Sequence, residues 1–463
     1  MILWKILFLA AIAGAFKLEN VEQMEELLPK VSQKIHPNTT FIMFGCRHGN
    51  KNPDHFLNEH PHQVQNFEDT EKELTQFGKL EAYDSGREIR EYIGNFVSKK
   101  YNFSEAKFYS SSAVACQLTL QIILAGFYPP KNHTHNWIKD AEWVPIPYTI
   151  NDPMLRMFSV KNCPKVAEVW DPILNDTLEE SAAFLDKHKD LLDYIVNNTG
   201  WRPSIADVSD LARNLIAMKM YKAKYPDWVE HPTLKGYDKK RFVKEVLEFD
   251  ELSVQQCAKH EPCRDVIAGV WLQHIVLLLQ NATRKDLSYK IVGYATHTEI
   301  LLSLLKLMHV NIDELSSSAG FLLEYRDQPQ QMMRVLIRDP SPIDDNIISP
   351  AKYTDRLAKY ADSENWIPVH KFLSEVRGKT IWDWELVCGR PGCGLAEAFK
   401  ILKEAAEDSD IKTKYKADKV NCDDEDDGLG EACEALSMAG LCEKHDATKL
   451  LFCRKTCLCS KYL

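Results

Sequence analysis

The chain has 463 residues, 45% of them hydrophobic, and a formal net charge of −10. That supplies apolar material for one large domain with an insertion or a small partner. The acidic balance excludes a general nucleic-acid binder, and a charged content of 27% excludes a wholly disordered chain.

The N-terminus reads MILWKILFLAAIAGAF. One early lysine, an apolar core and Ala13-Gly14-Ala15 predict a secretory signal peptide over residues 1–15; an ordinary buried helix shares much of that composition. No later run reaches the ~18 apolar residues of a membrane span. Val266 to Leu279 comes closest, but it carries Gln273 and His274 and is predicted to be a core helix. N-x-Ser/Thr sequons stand at Asn38, Asn102, Asn132, Asn175, Asn197 and Asn281. With the leader they fit a glycosylated secreted or lumenal protein. Thirteen cysteines fit an oxidising compartment, and the odd number leaves at least one unpaired within the chain.

Asn38 to Cys46 is predicted to be a strand, and Arg47-His48-Gly49 closes it. Residues just past a strand's C-terminal end face the crevice where open α/β sheets bind ligands. Gly49 allows a turn or a tight backbone approach, and Pro53 stiffens the following loop. A guanidinium grips phosphate oxygens in bidentate fashion, and an imidazole serves as nucleophile or base. Alone, the pair is better read as a surface turn. A second cluster changes that. Lys290 to Tyr294 reads as another buried strand, Ala295-Thr296-His297-Thr298-Glu299 follows, and an apolar helix begins. Thr298 is the expected N-cap and Glu299 lies in the first turn, where backbone N–H groups favour anions. Two strand ends thus each deliver a histidine, and a doubly wound sheet could unite them.

Six of the cysteines fall in the last 42 residues: Cys422, Cys433, Cys442, Cys453, Cys457 and Cys459. So short a piece needs covalent staples. Zinc is disfavoured because paired CxxC spacing is missing. Spacing alone leaves fifteen pairings.

CRHGNKNP resembles the RHGxRxP signature of the histidine acid phosphatases, and YATHTE resembles their second signature. ELTQFGKLEAYDSGREIREYI, LAGFYPP, WVPIPYTINDPMLRMFSVKNCPKV and IPVHKFLSEVRGKTIWDWELVC are similar to other segments of that family. The likeness runs from about Asn38 to Cys388 and is weakest between Asp171 and Cys263. It implies an α/β domain over 36–402: a doubly wound central sheet with helices on both faces and a helical cap at about 165–265. It also implies a Cys163–Cys388 disulfide. Cys257 and Cys263 are expected to close a local loop, and Cys46 and Cys116 to be buried free thiols. The last segment, 421–463 after a linker at 403–420, resembles the ShK toxin-like (ShKT) module. That resemblance implies the pairs Cys422–Cys459, Cys433–Cys453 and Cys442–Cys457 and a stabilising, protein-binding or channel-binding role.

By the same resemblance the substrate is a small phosphomonoester, and the reaction runs through a phosphohistidine with no cofactor and no metal. His48 matches the nucleophile, Arg47 the first phosphate arginine and His297 a second histidine that donates to phosphate. Three positions depart. Lys51 replaces an arginine, keeping the charge and losing the planar fork. Thr298 stands where most members have the aspartic acid that protonates the leaving group, and a hydroxyl is too weak an acid for that. Glu299, one residue on, resembles the His-Ala-Glu variant of the inositol polyphosphate phosphatases and is the candidate acid; otherwise it simply complements the helix dipole. Tyr109 stands where a third phosphate arginine is expected. The expected function is therefore a secreted acid phosphatase with weakened activity. The alternative is a degenerate phosphatase-fold binding protein whose ShKT module makes the interaction. A homodimer is left open.

Overall fold

Unbroken apolar runs such as FIMFGC belong to strands covered on both faces, and that is where they lie. The structure is a computed structural model that describes residues 33–58, 70–129, 143–340, 347–389 and a set of positions between 433 and 459. The signal peptide, the linker, Asn132, Cys393 and Cys422 lie outside the described residues.

In chain order, the first unit contains β1 (Thr39–Arg47), α1 (Gln76–Ile93), β2 (Ala106–Ser110), α2 (Val114–Phe127), β3 (Thr149–Ile150) and the short α3 (Asp152–Leu155). A helical stretch follows: α4 (Pro164–Leu174), α5 (Glu179–Lys187), α6 (Lys189–Thr199), α7 (Ile205–Met220), α8 (Asp227–Glu230), α9 (Lys239–Leu247) and α10 (Leu252–Lys259). Then come α11 (Glu261–Arg284), β4 (Ile291–Thr296), α12 (Thr298–Leu307), β5 (Gly320–Arg326), β6 (Met332–Arg338), β7 (Ile348–Pro350) and β8 (Ile367–Pro368).

The sheet order is β3-β2-β4-β1-β5-β6-β7, with β8 paired to β6. β2, β4 and β1 run parallel, whereas β5 pairs antiparallel with β1 and β6 with β5. The sheet is therefore mixed: the expected parallel half carries both histidine motifs, and an antiparallel half extends it. Alternation along β1 sends Ile42, Phe44 and Cys46 into a core with α1 and α2. Gly45 faces the other way, so close to Trp271 of α11 and Phe321 that a β-carbon there would clash. Helices thus cover both faces. α11 is long and apolar enough to cross a bilayer by length and composition, yet 67% of its most apolar window is buried inside the protein. Trp271 at its centre is fully covered, as expected of a core helix.

The helical cap has its own apolar core, built from residues such as Leu191, Leu211, Phe242 and Phe249, and it includes Leu57 from the loop after the first motif. Cys257 and Cys263 are disulfide-bonded there, and Cys46 and Cys116 are buried free thiols.

The second compact unit comprises Lys161–Lys165 and Ile381–Leu463. Within it Cys163 is bonded to Cys388, Cys433 to Cys453 and Cys442 to Cys457. Cys459 is also disulfide-bonded. Of the sequons, Asn38, Asn102, Asn175 and Asn197 are exposed and Asn281 is half-buried.

Candidate active site

Parallel pairing of β1 with β4 puts Arg47 level with Thr296, and the His48 amide donates to Thr296 O at 2.9 Å. Two histidines some 250 residues apart in sequence are thereby brought side by side. Their rings meet edge-on with centroids 5.7 Å apart.

Gly49 supplies room. It does not adopt a positive φ; a β-carbon on it would lie 2.5 Å from Gly78 O, and one on Gly78 would lie 2.1 Å from Asn50 O. The motif loop thus rests directly on the start of α1. Thr75 caps that helix, accepting from the Gly78 amide at 3.0 Å and donating to Asn50 Oδ1 at 2.8 Å. On the cap side, Asp210 accepts from the Asp54 and His55 amides, both at 2.9 Å.

His48 is buried, with Nδ1 2.8 Å from Gly49 O. A carbonyl only accepts, so Nδ1 carries the proton and Nε2 keeps its lone pair. Burial, and then the charges of Arg47, His297 and Lys51, hold its pKa well below the usual value. His48 is therefore neutral, as a nucleophile must be. His297 is lowered to about 3, by burial first and then by Arg156, Lys51 and Arg47. Its Nε2 is 3.3 Å from Ser111 Oγ and 3.6 Å from Cys116 Sγ. Burial raises the Glu299 carboxyl, against weaker lowering by its own backbone and the Lys51 and Arg47 charges. A raised carboxylic acid in the first turn after His297 suits proton donation.

The two expected cations are already engaged. Glu251, at the N-cap of α10, clamps Arg47 at two points: Nη2–Oε1 2.5 Å and Nη1–Oε2 3.0 Å. Lys51 Nζ lies 2.6 Å from Asp54 Oδ1. Tyr109 is set back from this level. It pairs with Tyr294, as Gly45 does, and its ring stacks on Tyr294 at 5.5 Å with His274 edge-on at 5.3 Å. One expectation is corrected: the helix cap is His297, whose side chain makes no capping bond, and Thr298 is the first helical residue.

Residues not anticipated from the sequence stand beside His297. Asn151 N donates to Ser110 O, Asp152 Oδ1 accepts from the Ser112 amide, and Thr296 Oγ1 donates to Leu155 O. These bonds anchor α3 to the ends of β2 and β4 and deliver Arg156 and Phe158. Phe158 meets the His297 ring edge-on at 5.4 Å and stacks on Trp170 at 5.3 Å. No motif spacing announces Glu251 or Arg156. Among the described residues no three His, Cys, Asp or Glu side chains gather as a metal site.

Fold and site together define a mixed α/β protein with two neutral histidines at adjacent parallel strand ends, His48 buried and His297 half-buried, beside cationic side chains. Residues 22–320 match the model of the histidine phosphatase superfamily (branch 2), and the chain belongs to that family. It is 24% identical to bovine (Bos taurus) prostatic acid phosphatase over 262 residues, 56% of this chain and 65% of that protein. It is 24% identical to Xenopus laevis lysosomal acid phosphatase over 269 residues, 56% of this chain and 60% of that one. The match therefore spans less than two thirds of either relative. Among solved structures, the Citrobacter braakii phytase shares the fold with a TM-score of 0.52 at 12% identity, over 76% of this chain and 99% of that one.

Proposed function

We propose that the chain hydrolyses small phosphomonoesters in an acidic lumenal or extracellular setting. The observation that carries this is His48: buried, neutral, and held by the Gly49 carbonyl so that Nε2 is free. In the first step Nε2 attacks phosphorus; the N–P bond forms and the bond to the ester oxygen breaks. Glu299 gives its proton to that oxygen. In the second step water attacks, the N–P bond breaks, phosphate leaves and the Glu299 carboxylate recovers a proton. Arg47, Lys51 and one N–H of His297 stabilise the phosphoryl oxygens. The relatives named acid phosphatases support this reading.

A second reading is favoured by one observation. Glu251 and Asp54 already pair with Arg47 and Lys51, so a phosphate must compete for both cations. That arrangement suits an anion-binding protein of low turnover. We further propose that residues 1–15 are a removed signal peptide, that the exposed sequons carry glycans and that residues 421–463 form a ShKT module for protein or channel binding. The staples Cys433–Cys453 and Cys442–Cys457 support the module.

The deciding measurement is hydrolysis of p-nitrophenyl phosphate and inositol phosphates between pH 4 and 7 by the glycosylated protein and by His48→Ala. Activity in the first and none in the second is expected. Equal rates sink the enzyme reading, and binding of phosphate without turnover selects the second.

A further inference from the structure

We propose that Arg156 is the third phosphate-binding cation of this pocket, supplied by the segment after α3 rather than by the end of β2. The inference rests on the phosphatase reading and deepens it.

The end of β2 offers no cation at the pocket. Tyr109 is turned into its stack with Tyr294 and His274, and Ser110, Ser111 and Ser112 follow. Arg156 is held against this same strand end. Its Nη1 lies 3.3 Å from Ser112 Oγ, and the neighbouring Ser111 Oγ lies 3.3 Å from His297 Nε2. Its guanidinium carbon sits 5.7 Å from the centre of the Phe158 ring, and that ring touches His297 at 5.4 Å. Arg156 and His297 thus contact adjacent serines at the end of β2 and one and the same aromatic ring, which places the guanidinium beside His297.

Its pairing separates it from its neighbours. Three cationic side chains bear on His297: Arg156 first, then Lys51 and Arg47. Glu251 neutralises Arg47, and Asp54 neutralises Lys51. Arg156 has no carboxylate partner among the described residues, and its Nε is buried without a hydrogen-bond partner. Arg156 is only half-buried and keeps its bond to Ser112, but a guanidinium with an orphaned buried Nε and no counter-charge is stabilised by an anion beside it. A phosphoryl group seated between His48 and His297 would be that anion. The anchors of α3 at Ser110, Ser112 and Thr296 fix the backbone of Arg156, so the site is preorganised.

The test compares wild type, Arg156→Ala, Arg156→Lys and His48→Ala. Inorganic phosphate affinity is measured by calorimetry and p-nitrophenyl phosphate turnover by KM and kcat. Arg156→Ala should weaken phosphate binding and raise KM about tenfold or more, and Arg156→Lys should recover part of both. His48→Ala should abolish turnover and keep phosphate affinity within a few fold. If Arg156→Ala fails to fold, Arg156→Gln, which keeps the stem and a polar end without the charge, takes its place with the same expectation. Wild-type phosphate affinity in a folded Arg156→Ala or Arg156→Gln protein overturns the assignment. Phosphate binding without turnover in wild type overturns the phosphatase reading and leaves the affinity comparison to judge Arg156. Absence of phosphate binding in wild type overturns both.

Discussion

Arg47 and Glu251 set the balance of the pocket at the scale of single residues. A two-point guanidinium–carboxylate pair is the strong form of a charge-assisted hydrogen bond, and Glu251 already offers Arg47 what a phosphate would offer. Glu251→Gln keeps the shape and removes the competing charge. It should tighten inorganic phosphate binding by roughly threefold to tenfold, read as a larger rise in melting temperature at a given millimolar phosphate concentration. An unchanged or smaller rise would show that Glu251 chiefly orients Arg47. Glu299 is judged separately. Glu299→Gln should slow esters with poor leaving groups more than p-nitrophenyl phosphate, because only the former need a proton on the departing oxygen. Equal losses for both would remove Glu299 from the acid's role.

Among the elements, the start of α1 does more than cover the sheet. Gly78, the glycine of the LTQFG stretch, lets that helix touch the backbone of the motif loop at Asn50. Gly78→Ala would place a methyl group 2.1 Å from Asn50 O, and backbone on both sides must move. The expected loss is about 2 kcal/mol or more in urea unfolding, with weaker phosphate binding because the loop carrying His48 shifts. A neutral Gly78→Ala would mean that the two backbones are not held as closely as they lie. α3 is the opposite case: four residues of little intrinsic stability, fixed by bonds to two strand ends, that aim one arginine.

Across the whole molecule, burial of ionisable groups shapes the response to acid. His274 is lowered to about 4 by burial first and by Lys107 second, and His48 and His297 shift the same way. Unfolded histidines take up protons near 6.5. Stability from these groups is thus complete above that pH and is lost as pH falls towards the folded values. Asp250 works in the other direction. Burial and Glu251 raise it to about 6 from the usual 3.8, so its contribution grows as pH falls from about 6 to 3.8. His274→Phe should therefore gain on wild type as pH drops from 6.5 to 4, by on the order of 2 kcal/mol. Denaturant melts at the two pH values measure it. A difference that does not change with pH would mean that His274 titrates normally.

The short-range signals were legible because they are local. An unbroken apolar run ending in Arg-His-Gly, and another ending in Thr-His-Thr-Glu, each specify a strand and what its end displays. Six cysteines in the last 42 residues, a piece too short to fold on its apolar surface alone, pointed to staples. The sequence by itself thus determined the fold class and placed His48 and His297 at the ends of two strands. The tertiary structure decided everything that depends on which elements become neighbours. It inserted β4 between β1 and β2, which joins the two histidines. It turned Tyr109 away from the pocket. It brought Glu251 to Arg47 from the cap and Arg156 to His297 from α3. Those charges carry no periodicity and no motif, and only long-range packing gives them partners.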